Sequence, residues 1–392
     1  MTSEWNHFAL GEITELVIDY RGKTPKKLGG DWCKQGYRAL SAKNIKTGRI
    51  VQAETIRYID ESLYRKWMKD EVQRGDILIT SEAPFGQIFF WDSDEKIVLS
   101  QRLFCVRIKP EYDARFIYYY MTTPEFQSEL DGRATGTTVI GLRQPELMKC
   151  IIRCPEIQEQ KVIAAILSSI DAKIIANEKV NDNLQQQVAA LFANFYDRAE
   201  TEVGFTEIIQ ILGGGTPKTG ESSYWNGNVP FFTPKDVGSP YTLATEKTIT
   251  EEGLAHCNSR LYPVNTVFVT ARGTVGKVGL PGIPMAMNQS CYALVGKDTH
   301  QLLVYFYTLK AVDRLKHKAS GAVFDAITTR DFESEIIMKL SDDDEKAFLD
   351  VAQPIYQAVL SNSIENLRLA ALRDSLLPKL MSGEIDVSGV QL

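Results

Sequence analysis

Apolar residues between Glu156 and Asp197 fall on a heptad pattern. Alternating steps of four and three from Ile163 land on Leu167, Ile170, Ile174, Asn177, Asn181, Leu184, Val188, Leu191 and Phe195. All but the two asparagines are apolar, the pattern of a helix with one face against a partner helix. The stretch predicts a helix of roughly 40 residues, about 60 Å long at ~1.5 Å per residue. The same walk recurs 185 residues later at Phe348, Ala352, Ile355, Val359, Asn362, Asn366, Leu369, Arg373, Leu376 and Leu380. The asparagines recur in place.

Between these stretches the apolar runs are short. Asp76–Thr80, Ile88–Trp91 and Phe104–Ile108 predict strands, and Ile13–Ile18 a strand or a short helix. Phe116–Met121 and Pro124–Leu130 predict two short helices. The order repeats after residue 201. Thr216-Pro217-Lys218 corresponds to Thr24-Pro25-Lys26, and Lys235-Asp236-Val237 to Lys43-Asn44-Ile45. Thr266–Thr270 corresponds to Asp76–Thr80, Gly276 to Gly86, Asn288-Gln289 to Ser100-Gln101, and Ala319–Ala322 to Ala134–Thr137. The offset drifts from 192 to 185, as loops of different length require.

A repeat of this size predicts two duplicated halves, each a globular domain followed by a long helix. The expected fold class is α+β: two pseudo-repeated strand-rich domains joined by two long helices packed as an antiparallel coiled coil. The expected boundaries are 1–155, 156–198 for the central helix, 199–341, 342–384 for the distal helix, and a tail at 385–392. Antiparallel pairing has an explicit register. If Asn177 faces Asn366, then Asn181 faces Asn362, Ile174 faces Leu369, Leu184 faces Val359, and Phe195 faces Phe348. Ile170 opposite Arg373 is the mismatch. A buried asparagine at such a seam penalises slipped registers, at a cost in stability. The other reading is two ordinary amphipathic helices, each packed on its own domain.

Composition changes this picture little. Hydrophobic content of 44% is that of a globular chain, and no apolar run reaches the ~18 residues of a membrane span. The N-terminus lacks the pattern of a secretory signal, and the six cysteines have no zinc-site spacing. The expected location is a reducing cytoplasm. Charge is more informative. The net charge is −6, yet Arg21–Arg49 holds nine basic residues against one acid, Asp31. A basic face on an acidic protein suits phosphate contact. It is equally a solvated loop.

Catalytic signatures are missing. Asn228-Val229-Pro230-Phe231 is not the Asn/Asp-Pro-Pro-aromatic element of an amino-methyltransferase. Gly273–Val278 lacks the first glycine and the final hydroxyl of a P-loop. The four histidines are isolated. Glu156 and Glu159, with Lys161, resemble a nuclease set but stand where a helix begins, where acids suit the helix dipole. No catalytic residue and no metal site is assigned.

One resemblance accounts for the whole pattern. Gly214-Gly215-Thr216-Pro217, Tyr224-Trp225 and Pro230–Asp236 resemble the start of a target-recognition domain. Pro155–Ile163 and Ile166–Asp171 resemble the central helical region that follows it, and Leu372–Ile385 the distal helix terminus. In order, duplication and heptads the chain is similar to the DNA-specificity subunit of Type I restriction–modification enzymes. The first domain departs from the family pattern with Arg21-Gly22-Lys23-Thr24-Pro25 in place of Gly-Gly-Thr-Pro.

The resemblance implies a non-catalytic subunit that binds double-stranded DNA. Each domain would read one half of a bipartite site, while the helices set the spacer and dock two modification subunits. S-adenosylmethionine, ATP and magnesium would belong to the modification and restriction subunits. Candidate DNA contacts in the first domain are Lys23, Lys26, Lys27, Lys43, Lys46, Gln101, Arg102 and Arg133. In the second they are Lys218, Lys235, Arg272, Lys277, Asn288, Gln289, Lys316 and Lys318. Lysines suit phosphates, arginines guanine, and amide side chains adenine edges. Asn177, Asn181, Asn362 and Asn366 would hold the coiled-coil register. Two rival readings are a repeat-built protein–protein adaptor and a self-sufficient DNA methyltransferase.

Overall fold

A computed structural model describes residues 5–136, 140–318 and 326–390. The expected match of Ala319–Ala322 with Ala134–Thr137 lies outside the described residues. The chain forms mixed helix and sheet, with two continuous helices at Ile157–Asp197 and Asp342–Met381. Packing divides it into two units. The first runs to Ala172 and resumes at Ala370; the second is Lys173–Leu369. Each unit therefore contains part of both long helices. Among the described residues no helix is long and apolar enough to cross a membrane.

The first unit has a four-stranded antiparallel sheet ordered Thr14–Asp19, Leu103–Ile108, Ile77–Thr80, Ile88–Phe90. The expected strands are all present. The ambiguous start resolves into one helical turn, Leu10–Ile13, and a strand. A three-stranded sheet places Tyr37–Leu40 between Arg57–Ile59 and Ile97–Leu99, parallel to the latter. Apolar residues of Ala114–Met121 cover the larger sheet and meet Ile163 and Leu167 in one core with Leu380. Ile385 and Val387 extend this core, so the tail packs on the first unit.

The mismatch at Arg373 has a local solution. Asp171, one residue beyond Ile170, accepts from Arg373 Nη1 at 2.8 Å and from the Tyr119 hydroxyl at 2.6 Å. Burial first, then the Asp171 charge, pushes the Tyr119 phenol well above its usual range. The start of the central helix is secured by Gln160. Its Oε1 accepts from Asp113 N at 2.9 Å and its Nε2 donates to the Pro155 carbonyl at 2.8 Å. Glu159 stands in the first turn, but Gln160 ties that turn to the domain.

The second unit repeats the plan. Its main sheet runs Ile209–Gly213, Cys291–Gly296, Val267–Thr270, Val278–Pro281, with Tyr241–Thr242 added at the edge. Trp225–Phe232 lies between Lys247–Ile249 and Ala286–Met287, again parallel to the last. The two long helices meet here in the expected register. Asn177 Nδ2 donates to Asn366 Oδ1 and Asn362 Nδ2 to Asn181 Oδ1, both at 2.8 Å. Asn177, Asn181 and Asn366 make further contacts. Asn177 Nδ2 also donates to Glu365 at 2.7 Å, Asn366 Nδ2 to the Ile174 carbonyl at 3.3 Å, and Asn181 Nδ2 to the Val359 carbonyl at 3.3 Å. Buried amides therefore find partners, as a low-dielectric seam requires.

Beyond Asn181 the helix serves two surfaces. Leu184, Leu191 and Phe195 are only half-buried, whereas Val188, Phe192 and Tyr196 are buried. Phe192 stacks on Phe306 at 4.9 Å between ring centroids and meets Phe348 edge-on at 5.4 Å. The helix therefore packs on the second domain through Gln301–Lys318 as well as on the partner helix. Packing on its own, first domain is found instead at the start of the helix, where Ile163 and Leu167 join the first core.

Candidate nucleic-acid interface

The two units build the same loop from different side chains. In the first, Thr80 N donates to the Gln87 carbonyl at 2.9 Å, and Gln87 N donates back to Thr80 Oγ1 at 2.8 Å. In the second, Thr270 N donates to the Lys277 carbonyl and Lys277 N to Thr270 Oγ1, both at 2.9 Å. Gly86 and Gly276 close these loops at φ of 70° and 74°, which L side chains rarely adopt. Each loop is pinned again beside its start. Ser81 N donates to the Arg102 carbonyl and Ala271 N to the Ser290 carbonyl, at 2.9 and 2.8 Å. The Ser81 and Ala271 carbonyls accept from Leu142 N and Ile327 N, each at 2.9 Å.

The next loop is also duplicated atom for atom. Asn44 Oδ1 accepts from Ser41 N and Oγ at 3.1 and 2.9 Å; Asp236 Oδ2 accepts from Thr233 N and Oγ1 at 2.8 and 2.6 Å. These turns place Lys43 and Lys235 in solvent. Ala42 N donates to the Gln101 carbonyl at 3.1 Å and Thr47 N to Gln87 Oε1 at 3.0 Å. Lys43, Lys46, Gln101 and Arg102 therefore gather round the loop 81–87.

In the second unit Arg272, Lys277, Gln289 and Lys316 are exposed round the loop 271–277. A Cβ on Gly276 would come within 2.5 Å of Lys316 Cε, so that lysine stem lies across the loop. Thr274 Oγ1 donates to the Pro234 carbonyl at 3.2 Å, which brings Lys235 alongside. Asn288 is half-buried, and its Oδ1 accepts from Ser290 N at 3.0 Å. Beside it, Gly214 to Thr216, His256 to Asn258 and Gln289 line an open cleft of about 430 Å³. A Cβ on Gly214 would lie 2.1 Å from the Asn288 carbonyl oxygen, and one on Gly215 would lie 2.6 Å from Asn258 N. The backbone approach requires both glycines. Gly22, the counterpart of Gly214, has nothing within 4 Å of a Cβ, so the first unit lacks this close approach; Lys23 stands where the second has Gly215.

A family model described as the Type I restriction modification DNA specificity domain matches residues 2–186 and again 201–345. The chain belongs to this family. The specificity subunit of the type I restriction enzyme HindI from Haemophilus influenzae is 22% identical over 81% of this chain and 88% of its own length. That of MjaIX from Methanocaldococcus jannaschii is 32% identical over 30% of this chain and 29% of its own length. The solved Type-I restriction-modification S subunit from M. genitalium shares the fold, with a TM-score of 0.58 and 16% identity over 96% of both chains.

Not every candidate of this specificity chain stands free. Lys23 is held in place. Its Nζ lies 3.7 Å from the Tyr20 ring centroid and donates to the Trp67 carbonyl at 2.5 Å, and burial first lowers its pKa. Lys26 and Lys27 are exposed on a single helical turn beside Glu61–Trp67, and Lys27 Nζ donates to the Gly22 carbonyl. Arg133 pairs with Glu129 at 2.9 Å and Glu146 at 3.7 Å. Lys318 pairs with the buried Glu335. Lys235 faces Glu246 at 3.8 Å, both exposed, a weak contact. Lys218 is exposed, and its carbonyl accepts from Trp225 Nε1 at 3.2 Å.

Sequence reasoning passed over Glu82, Gln87 and Gln127. Glu82 Oε1 lies 3.5 Å from Arg102 Nε. Gln127 approaches Gly86 as Lys316 approaches Gly276. The match of Gly86 to Gly276 already placed Glu82 on Arg272 and Gln87 on Lys277. The search for basic residues hid them.

Proposed function

We infer that each unit reads one half of a bipartite DNA sequence through the loops round 81–87 and 271–277. Membership of the family makes the chain a sequence-recognising DNA-binding subunit of a Type I restriction–modification complex. The observation that carries the finer reading is the duplication of one rigid loop framework with exchanged side chains. Backbone hydrogen bonds hold the scaffold, and exposed side chains are free to specify. On this reading Lys43, Lys46, Lys277 and Lys316, exposed on and beside the loops, would meet phosphates, and Arg102, Arg272, Gln101 and Gln289 would read bases.

On this reading the paired helices set the spacer between half-sites and dock two modification subunits. The asparagine pairs favour one register, which supports a fixed spacer. Half-sites about 34 Å apart, one helical turn, present the same DNA face. Methyl transfer from S-adenosylmethionine would belong to the modification subunits, and magnesium- and ATP-dependent cleavage to restriction subunits. Methylation mapping of DNA modified by this chain with its modification partner tests the reading. A bipartite motif with a fixed gap is expected. A contiguous motif would overturn it.

A further inference from the structure

We propose that Glu82 and Arg272, at the same position of the two repeated loops, read bases of opposite hydrogen-bonding character. Glu82 accepts from an exocyclic amino group, cytosine N4 in the first instance. Arg272 donates to guanine O6 and N7. The proposal rests on the half-site reading above and names the residues that would set the difference between the halves.

The equivalence is structural as well as sequential. Each residue follows the residue pinned to the neighbouring loop, Ser81 to Arg102 O and Ala271 to Ser290 O. Each precedes a residue of positive φ, Ala83 at 42° and Gly273 at 82°, and a closing glycine. Main-chain bonds and the Thr80 and Thr270 hydroxyls fix the loop, so neither side chain is needed to hold it. Their charges face solvent instead. Glu82 has a single 3.5 Å contact with Arg102, with both side chains partly exposed. Arg272 meets no carboxylate in an ion pair among the described residues, and its side chain is exposed.

The surroundings vary in the same sense. Lys277 and Lys316 add only donors to the second loop, where the first carries two neutral amides, Gln127 and a Gln87 whose Oε1 is taken by Thr47 N. The first surface thus offers the Glu82 carboxylate with no lysine at the two neighbouring positions, and the second offers cations at all three. Against DNA this is a difference in code. A carboxylate pairs with the cytosine amino group and is repelled by the acceptor atoms of guanine and thymine. A guanidinium matches the two acceptors of guanine. Placing an acid against a polyanion lowers affinity for all sequences, but the repulsion of wrong bases raises discrimination.

The test uses the full chain assembled with its modification subunits. Equilibrium competition is measured with duplexes carrying every single-base change across both half-sites. Glu82→Ala should flatten the preference at one base pair of one half-site, removing a discrimination of about tenfold to hundredfold, with the other half-site unchanged. Arg272→Ala should do the same at one base pair of the other half. Glu82→Arg should move the preferred base at its position to guanine. Glu82→Gln keeps the shape and one acceptor, so a folded Gln variant with a partly flattened profile supports the role should the Ala variant unfold. If Glu82→Ala and Glu82→Gln keep the full base profile, or change affinity equally for all sequences, the assignment is overturned. If the unmutated complex shows no bipartite preference, the half-site reading itself fails, which the same titration reveals separately.

Discussion

Asn177 donates to Asn366 across the helix seam at 2.8 Å, and four residues on Asn362 returns the pattern by donating to Asn181. Two reciprocal amide pairs spaced one helical turn apart can be satisfied together in only one register. A shift of either helix leaves buried amides facing leucine and isoleucine, with a desolvation cost of about 1–3 kcal/mol per unpaired group. The seam therefore exchanges some stability for a defined alignment.

Replacing one member of a pair should be worse than replacing both. Asn177→Leu leaves Asn366 Oδ1 without its donor, and a loss of about 1–3 kcal/mol is expected from urea unfolding. Asn177→Leu with Asn366→Leu should recover part of it. A double-mutant cycle with no coupling energy would show that the amides do not act as a pair. Replacing Asn177 and Asn181 together should widen the spacer lengths the assembled complex accepts.

Asp171 joins the distal helix to the first unit through Arg373 and Tyr119. Asp171→Ala leaves the buried Tyr119 phenol without its acceptor and the half-buried Arg373 guanidinium with Asp374 alone. A destabilisation of about 2 kcal/mol is expected, read from denaturant midpoints. Asp171→Asn should cost less, because it keeps an acceptor.

Glu345 occupies in the second repeat the place of Gln160 in the first. Its Oε1 is buried with no partner among the described residues, and burial raises its pKa above the usual glutamate range. The folded chain holds this proton more tightly than the unfolded chain. Its contribution is thus fully present below the unfolded carboxyl range and is lost as pH rises through the folded value. Glu345→Gln should raise the melting temperature at neutral pH and give no gain in acid. A pH-independent change would mean that titration of Glu345 is not the cause.

The two glycines at the domain starts should respond differently. Gly214→Ala forces a methyl into the Asn288 carbonyl, and a loss above about 2 kcal/mol is expected from thermal unfolding. Gly22→Ala should stay within about 0.5 kcal/mol.

Lys46→Ala and Lys316→Ala should weaken binding to specific and unrelated duplexes alike, each lowering the salt slope of binding by about 0.9. Lys23→Ala should instead lower thermal stability, because Lys23 rests on Tyr20 and the Trp67 carbonyl. A base-specific effect of Lys316→Ala would move that residue from the phosphate to the base-reading group.

The heptads at Ile163 and Phe348, and the asparagines within them, determined the long helices, their antiparallel sense and their register. Those features depend on period and on one-to-one pairing, which a linear sequence displays. The duplication was likewise legible, from Thr80 against Thr270 and Gly86 against Gly276, because turn geometry demands particular residues. Which charges are free was decided only by tertiary structure. Lys23 and Lys318 look like any other lysine until Trp67 and Glu335 are brought to them by the fold, and Arg133 pairs with Glu129 only because both stand on one helix face. Phe192 similarly escaped the heptad walk, because the helix buries a second face against Phe306. Glu82 was visible in the sequence but not recognisable as a candidate. Its placement depends on backbone bonds from Ser81 to Arg102 and from Leu142 to Ser81, contacts across 21 and 61 residues that no local pattern encodes.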